Sequence, residues 1–278
     1  MNHPGGPFSF LGGGPGSVIF WYAEAMVRDF DKVAEQISRA RRILVFTGAG
    51  ISTGSGIPDF RGPQGVWKRR RPVMIQEFLA SHDSRVEYWD YKLEGYEGFR
   101  DAAPNDAHLA LAGLQDSGRL LGLLTQNIDG LHSAAGIRDE LLVELHGTNR
   151  KIRCLDCDAE SEPADVFGRF REDREPPVCG DCGGWLKPAT ISFGQPLLES
   201  DLARAQEWAL QADFVMSLGS TLSVHPAASF PLMAARSGAP YLVVNQGPTD
   251  HDELADFRWD GDLVSLLPEL IRRAESVI

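Results

Sequence analysis

The chain has 278 residues, 43% of them hydrophobic and 24% charged, so its composition is that of a folded globular protein and excludes a disordered or fibrous one. The formal net charge of −12 opposes binding to nucleic acid, since the phosphate backbone requires a dense positive surface. No run of roughly 18 apolar residues is present, so we expect no membrane span. The four cysteines stand in two close pairs rather than in a disulfide framework, which predicts a reducing, cytoplasmic location.

The chain begins with a segment that predicts no regular structure. Residues 1–21 are rich in glycine and proline and contain neither Lys nor Arg, which is unlike a signal peptide, so we expect a flexible leader. Apolar residues then recur at helical spacing from Ala25 to Ala40. This periodicity predicts a first helix over about residues 22–41.

Five short apolar runs that end in glycine or polar residues predict the strands of a doubly wound, mainly parallel, Rossmann-like α/β sheet. They are ILVFTGAG at 43–50, LLGLLTQN at 120–127, LLVELHG at 141–147, DFVMSLGS at 213–220 and YLVVNQG at 241–247. Helical or irregular stretches separate the runs, as crossover connections between parallel strands require. The expected Rossmann-like domain comprises residues 22–66, 107–149 and 189–278.

Two segments interrupt this alternation. Residues 67–106 have a helical pattern and predict a helical insertion, which begins with the basic run WKRRR. We interpret that run as a solvated patch or rim in preference to a phosphate or acidic-peptide site. Residues 150–188 are polar, contain all four cysteines and predict a small zinc-binding module of the zinc-ribbon type.

The cysteine spacing is the strongest local signal. Cys154 and Cys157 form one CxxC pair, and Cys179 and Cys182 form a second after 21 intervening residues. Four thiolates with no open position are typical of a structural zinc site, and this segment is too polar to fold on its own core. The alternatives, a redox dithiol or two unrelated pairs, do not explain why the chain has no other cysteine.

The second signal is the glycine cluster GAGISTGSGIPDFRG at 48–62. Glycines at the end of a strand let the backbone approach a pyrophosphate, and the exposed N–H groups that follow favour its negative charge. Thr53 stands where the usual dinucleotide fingerprint has its third glycine, so the cluster alone leaves a plain turn as the alternative.

Several motifs together resemble the sirtuin family and stand in the family's order. They are the glycine cluster, TQNIDGLH at 125–132, LHGT at 145–148, the two CxxC pairs, SLGSTLSVHP at 217–226 and VVNQGPT at 243–249. The resemblance covers roughly residues 35–275. It implies an NAD-dependent enzyme that removes acyl groups, acetyl above all, from protein lysines.

The resemblance also implies three groups of NAD-binding residues. Those expected at the diphosphate, its ribose and the mobile loop over the nicotinamide are Gly48, Ala49, Gly50, Ser52, Thr53, Asp59, Phe60 and Arg61. Those expected around the nicotinamide and its ribose are Gln126, Asn127, Ile128 and Asp129. Those expected to hold the adenosine half are Gly219, Ser220, Thr221, Asn245, Gln246 and Leu263.

By the same resemblance, His146 is the general base. An unperturbed imidazole, with a pKa of about 6.5, can accept a proton from a ribose hydroxyl at neutral pH, after nicotinamide has left. The implied products are deacylated lysine, nicotinamide and O-acyl-ADP-ribose. His132 is expected to be packed or hydrogen-bonded behind the pocket.

The acyl-lysine peptide is expected to add a strand beside Phe193 and Gly194, with the loop after Val224 on its other side. Phe193 would contact the lysine stem. Gln195 departs from the family pattern, in which many members have glutamate, and this change concerns substrate preference.

The acyl group is less constrained by the sequence. Members that remove acidic acyl groups have a tyrosine and an arginine three residues apart, and the favoured alignment places Trp89 and Lys92 there. A shift of one residue would place Tyr88 and Tyr91 there instead. Neither alignment supplies the tyrosine and arginine together, which favours acetyl or longer apolar groups. Because of Lys92, an acidic acyl group stays open as a substrate. The alternative is that Trp89 and Lys92 only pack within the insertion.

Three other functions use parts of the same pattern. An oxidoreductase would use the glycine cluster but has no need of His146 beside TQNIDGLH. A non-catalytic NAD-responsive module would be expected to lose the base or the polar pocket residues. A mono-ADP-ribosyltransferase or NAD hydrolase would keep the pocket with another acceptor, and the sequence leaves this alternative open.

Overall fold

The computed structural model describes residues 29–60, 65–68 and 70–277; the leader predicted over 1–21 lies outside them. Residues 29–39 are helical, within the helix predicted over 22–41, of which residues 22–28 are also outside the described part. Among the described residues, no helix combines the length and the apolar composition needed to cross a bilayer.

The described strands form two separate sheets. In chain order the strands are Ile43–Thr47 (β1), Leu120–Thr125 (β2), Leu142–Glu144 (β3), Gly147–Cys154 (β4), Glu160–Ser161 (β5), Leu186–Thr190 (β6), Phe214–Leu218 (β7), Tyr241–Val244 (β8) and Phe257–Trp259 (β9). The helices are 29–39 (α1), Ile75–Ala80 (α2), His82–Asp101 (α3), Asp106–Asp116 (α4), Leu131–Ala134 (α5), Pro163–Asp173 (α6), Glu199–Gln211 (α7), Ser229–Arg236 (α8) and Leu263–Ser276 (α9).

The larger sheet has six strands in the order β3-β2-β1-β7-β8-β9, and every neighbouring pair is parallel. The five predicted runs supply five of these strands, so the doubly wound α/β prediction is confirmed. The two strands that follow β1 in this sheet, β2 and β3, lie on one side of it, and the later strands β7, β8 and β9 lie on the other. The strand order therefore reverses between β1 and β7, where sheets of this kind bind ligands.

Successive residues of β1 face opposite layers of helices, as the twofold period of a strand requires. Val45 packs in a cluster with residues of α1, α4 and α9, whereas Leu44 packs with residues of α7 and α8. Trp208 of α7 lies so close to β2 that a Cβ atom on Gly122 would approach its ring to 2.2 Å. The sheet is thus covered on both faces.

The sixth strand, β9, has no counterpart in the sequence prediction. It is only three residues long, its residues are all partly exposed, and Arg258 stands at its centre. It pairs with β8 at the edge of the sheet. A strand this short and this exposed contains no apolar run that a sequence pattern could detect. Only the tertiary structure shows that it pairs with β8.

The second sheet and two helical segments form a smaller lobe. This sheet is antiparallel in the order β5-β4-β6 and extends to Gly147 and Thr190, slightly beyond the predicted module over 150–188. Within the predicted insertion, α3 contacts α6 through aromatic rings, and the ring centroids of Tyr96 and Phe167 are 4.1 Å apart. The helical insertion and the cysteine-containing segment therefore share one hydrophobic cluster.

Candidate active site

A cavity of about 690 Å³ lies at the carboxyl ends of β1 and β7, between the large lobe and the small lobe. Its walls include most of the residues that the sequence predicts for NAD, substrate and catalysis. These are Gly48, Ala49, Gly50, Thr53, Asp59, Phe60, Lys92, Gln126, Asn127, Ile128, His146, Phe193, Gly194, Gly219, Ser220, Thr221, Asn245, Gln246 and Leu263. The tertiary structure thus brings together segments that are far apart in the chain.

The glycine cluster forms a close backbone contact at the switch point. The N–H of Gly50 donates to the carbonyl oxygen of Gly219 at 2.8 Å. A Cβ atom on Gly50 would lie 2.7 Å from the Cα of Gly219, and Gly219 itself has a φ of +68°. Only glycine meets both requirements, because neither backbone segment can move away without breaking the sheet.

The role of the missing third glycine is taken by the next residue. Thr53 donates its hydroxyl to the carbonyl oxygen of Gly50 at 3.0 Å and so closes the turn. A Cβ atom on Gly54 would lie 2.4 Å from Cγ2 of Val264 in α9. The close helix approach that the dinucleotide fingerprint assigns to its third glycine occurs here at Gly54.

Two predicted NAD residues lie behind the cavity wall rather than in it. Ser52 and Asp129 are 0% and 3% exposed, and the Ser52 hydroxyl donates to Asp129 Oδ2 at 2.8 Å. Asn127, which does line the cavity, donates its side-chain amide to Ser52 Oγ at 3.1 Å and to the carbonyl oxygen of Gly48 at 3.2 Å. The buried pair therefore fixes the side chain of Asn127.

A second layer of polar side chains supports this pair. His108 and His132 are both buried, with ring centroids 5.0 Å apart. Nε2 of His132 lies 2.9 Å from Oγ1 of Thr47, and Nδ1 of His108 lies 3.0 Å from Oδ1 of Asn105. Burial lowers the pKa of His108 and places the pKa of His132 well below its usual value, so both rings are neutral at neutral pH. The expectation that His132 packs behind the pocket is confirmed.

His146 is held in the cavity by backbone contacts. Its Nδ1 lies 3.0 Å from the carbonyl oxygen of Gln126, and its own carbonyl oxygen accepts from the N–H of Ile191 at 2.7 Å. A carbonyl oxygen only accepts, so Nδ1 carries the proton of the neutral ring and Nε2 carries the lone pair. This tautomer is the one that a general base at Nε2 requires.

The two ends of the NAD region are joined by a side-chain contact. The hydroxyl of Ser220, after β7, donates to Oε1 of Gln126, after β2, at 2.8 Å. Asn245 donates its amide to the carbonyl oxygens of Gln246 and Gly247 at 3.1 and 3.0 Å. The first contact joins the loops after β2 and β7, and the other two close the turn after β8.

The end of the cavity that faces the small lobe contains rings and a lysine. Lys92 donates to Asn149 Oδ1 at 3.2 Å, and its Nζ lies 5.6 Å from the centroid of the Tyr88 ring. Burial lowers the pKa of Lys92 to about 8. A second cation, Lys187, lies 6.0 Å from the same ring, and burial lowers its pKa to about 7. Positive charge is therefore available at this end, but it is partly suppressed by burial.

The structure corrects the favoured alignment in this region. Trp89 is 0% exposed, does not line the cavity, and packs between Phe167 and Phe170 with centroid distances of 5.2 and 5.8 Å. Tyr88 and Tyr91, which the one-residue shift named, line the cavity together with Lys92. The last of the predicted residues, Arg61, falls in the segment 61–64, outside the described residues.

The basic run contributes to the rim of the same cavity. Trp67, Arg70 and Arg71 line it, and the Arg71 side chain is 71% exposed beside Glu77. The sequence indicated the basic run WKRRR, which contains Trp67, but it did not indicate Trp67 as a site residue. Its aromatic neighbours come from other segments, so only the tertiary structure identifies it as part of the wall.

The four cysteines form one cluster in the small lobe. Their Sγ atoms all lie within 4.8 Å of one another, with distances of 3.5 Å for Cys154 to Cys182, 3.8 Å for Cys157 to Cys179 and 3.3 Å for Cys157 to Cys182. Tetrahedral zinc with Zn–S bonds of about 2.3 Å requires separations of about 3.8 Å, so the donor set fits the ion. Four protein ligands leave no position for a substrate, and the zinc is structural.

This combination of features defines a class of protein. A parallel sheet in the Rossmann order, a glycine turn at its switch point, a fixed histidine and a four-cysteine zinc module describe an NAD-using enzyme with a cleft between its lobes. The family model described as "Sir2 family" matches residues 48–226. The chain belongs to the Sir2 family, as the sirtuin resemblance implies.

Individual relatives agree with this assignment. The "NAD-dependent protein deacetylase 1" of Bradyrhizobium diazoefficiens is 42% identical over 226 residues, which are 81% of this chain and 89% of that protein. A solved structure of Sir2 with a p53 peptide and NAD⁺ has 34% identity and a TM-score of 0.77, over 87% of this chain and 96% of that one. A structure of a Sir2 variant with a deacetylated p53 peptide and 3'-O-acetyl ADP-ribose has 34% identity and a TM-score of 0.80, over 90% and 98%.

Proposed function

We propose that this chain removes acyl groups, acetyl foremost, from lysine side chains of proteins, with NAD as co-substrate and nicotinamide and O-acyl-ADP-ribose as products. The observation that carries this proposal is the position of His146. It lines one cavity together with the glycine turn of the large lobe and with Phe193, on the predicted peptide side. A base in this position can reach a dinucleotide and a lysine derivative that meet in the cavity.

When NAD is bound, it supplies a ribose carbon that becomes electrophilic as nicotinamide departs. Ala49, Gly50 and Thr53 would lie at the diphosphate, because they line the cavity at a strand end. The N–H of Gly50 is already bonded to Gly219, so the N–H of Ala49 would be the donor here. Asn127 and Ile128 contact the nicotinamide ribose, while Ser52 and Asp129 act behind them. The remaining contacts that we propose are Gly48, Asp59, Phe60, Arg61, Gln126, Gly219, Ser220, Thr221, Asn245, Gln246 and Leu263.

Proton transfer is the role of His146. Because its Nδ1 donates to the carbonyl oxygen of Gln126, the ring cannot rotate without losing this bond, and Nε2 keeps its lone pair. Nε2 accepts the proton of a ribose hydroxyl and holds it. The carbonyl oxygen of Gln126 also stabilises the imidazolium that results, since Nδ1–H becomes a stronger donor when the ring is charged.

The acyl-lysine lies toward the small lobe. Phe193, which is 39% exposed, contacts the lysine stem, and Gly194 offers backbone for strand addition. Gln195 closes the turn after them with a neutral side chain, whose Oε1 accepts from the N–H of Ser192 at 3.2 Å. A short apolar acyl group suits the rings of Tyr88 and Tyr91 in this part of the wall.

The structural zinc has no part in these steps. It links the two cysteine pairs, and thereby holds β4, β6 and the residues that follow β6 in the wall of the cavity. The N–H groups of Asp156 and Gly184 donate to Cys154 Sγ and Cys182 Sγ at 3.5 and 3.4 Å, which suits thiolate ligands.

One assay tests the proposal directly. The protein is incubated with NAD and a set of acetyl-, butyryl- and succinyl-lysine peptides, and peptide mass and nicotinamide release are followed together. We expect equal amounts of deacylated peptide and nicotinamide, with acetyl-lysine the preferred substrate. Nicotinamide release without deacylation would instead identify an NAD hydrolase or an ADP-ribosyltransferase, which a mass increase of the protein or peptide distinguishes.

A further inference from the structure

Four aromatic rings from separate segments meet in the cavity wall. The Trp67 ring centroid lies 5.4 Å from that of Phe60, 5.8 Å from that of Tyr91 and 5.8 Å from that of Phe193. The first pair is stacked, and the last is edge to face at an interplanar angle of 78°. We call these four residues the aromatic bridge; all of them line the cavity.

One end of the aromatic bridge belongs to the segment predicted to cover the nicotinamide. The N–H of Trp67 donates to the carbonyl oxygen of Phe60 at 3.1 Å, and the N–H of Val66 donates to that of Asp59 at 3.1 Å. These backbone bonds join Trp67 and Val66 directly to Phe60 and Asp59. Any force on the Trp67 ring is therefore passed to the side chains that face the NAD region.

The other end belongs to the peptide side and to α3. The carbonyl oxygen of Phe193 accepts from the N–H of Ile75 at 3.0 Å, which fixes its backbone to the start of α2. Tyr91 is fixed on α3, where the guanidinium of Arg70 lies 5.4 Å from the centroid of its ring and forms an ion pair with Glu94 at 2.8 Å. Trp67 thus lies between a fixed substrate side and the segment on the cofactor side.

We propose that Trp67 couples the binding of the acyl-lysine peptide to the binding of NAD. The proposal rests on the proposed function, because it assumes that the lysine stem lies against Phe193. A stem in that position also contacts the edge of Trp67, and it then holds Asp59 and Phe60 in their orientation toward NAD. Trp67 is a positioning residue, and by linkage each ligand raises the affinity of the other by the same factor.

The test measures this factor by calorimetry. The ligand is an NAD analogue in which a methylene group replaces the ribose ring oxygen beside nicotinamide, so that nicotinamide is not released. Its dissociation constant is measured with and without a saturating acetyl-lysine peptide, for the wild type, Trp67→Ala, Trp67→Phe and the control Leu79→Ala. Leu79 is 53% exposed and does not line the cavity.

We expect the peptide to tighten analogue binding on the order of 10-fold in the wild type and in Leu79→Ala, and at most about 2-fold in Trp67→Ala. Trp67→Phe keeps a ring against Phe60 and Phe193 and should retain most of the factor. A purely structural role would weaken both ligands and leave their ratio unchanged. An unchanged ratio in a folded Trp67→Ala protein would overturn the coupling, as would a ratio of one in the wild type.

The same titrations separate this proposal from the proposed function. If the acetyl-lysine peptide shows no binding to the wild type, the deacylase assignment fails. If peptide and analogue each bind but the substitution leaves their ratio intact, only the role of Trp67 fails. Adding Phe193→Ala to Trp67→Ala should cause no further loss of coupling, since both act through one contact.

Discussion

The two walls of the cavity are built in different ways. The large-lobe wall consists of strand ends whose parallel hydrogen bonds, glycine contacts and buried polar side chains fix the backbone, as the approach of Gly50 to Gly219 illustrates. The small-lobe wall depends on one modest cluster of buried residues, which includes Cys154 and Cys179, and on ring contacts. The six-stranded sheet fixes the first wall without a metal ion, whereas the small lobe, with three strands, requires one.

The difference predicts how each wall fails. Loss of the zinc should disorder the small lobe as a unit, because its core alone is too small to offset the conformational entropy of folding. Changes in the large-lobe wall should instead have local effects on binding or chemistry. The predictions that follow test this contrast, beginning with the greatest expected effect.

Removal of one zinc ligand tests the small-lobe wall. Cys179→Ser should lower the zinc content from about one ion per chain to near zero and abolish deacylation, because structural zinc contributes about 10–16 kcal/mol of apparent binding energy in small modules. Metal analysis and circular dichroism measure the two effects, and the sheet signal of the large lobe should persist. The neighbouring exposed substitution Val178→Ala is the control. Full zinc content in Cys179→Ser would contradict the assigned site.

Removal of the base tests the chemistry of the large-lobe wall. His146→Ala should lower kcat about 10²- to 10⁴-fold, the usual contribution of a general base, and leave NAD binding and the thermal midpoint nearly unchanged. Steady-state kinetics and thermal unfolding measure the outcome. His82→Ala, which removes an exposed histidine of the small lobe, should have normal turnover. Normal turnover of His146→Ala would exclude it as the base.

Two glycine substitutions test the backbone contact at the switch point. Gly50→Ala should lower the free energy of unfolding by about 1–3 kcal/mol and raise the KM for NAD, because its Cβ would meet backbone that cannot move. Gly113→Ala lies in α4 with no atom within 4 Å of the added Cβ, and it should be neutral or slightly stabilising. Denaturant titrations of both variants check the contrast; equal stabilities would refute it.

The smallest effect concerns a carboxyl group at the end of β3. Burial, followed by the charge of Asp129, raises the pKa of Glu144 to about 7. The folded protein therefore binds this proton more tightly than the unfolded chain, and the stability it contributes below pH 4.5 is lost as the pH rises through 7. Glu144→Gln should reduce the change in the free energy of unfolding between pH 4.5 and pH 7 by about 1 kcal/mol. The effect is this small because solvent reaches part of the side chain. If the free energies of unfolding of wild type and variant change in parallel between pH 4.5 and pH 7, the prediction is wrong.

Sequence patterns predicted best where a function depends on neighbours in the chain. The paired CxxC spacing places four sulfur atoms in one cluster, and the glycine cluster after an apolar run predicts the turn at Gly48. Trp89 shows the opposite case. A shift of one residue turns a helical side chain by about 100°, so the spacing alone could not decide whether Trp89 or Tyr88 faces the cavity.

The sequence by itself determined the parallel sheet and the paired cysteines of the zinc site, because these depend on local apolar periods and on short fixed spacings, whereas His146 was named through the resemblance to a family. The tertiary structure alone decided that Ser52 and Asp129 stand behind the cavity, that Trp89 is core, and that Trp67 joins Phe60 to Phe193. Each of these depends on how separate segments pack, and the burial and direction of a side chain follow from neighbours that are distant in the chain.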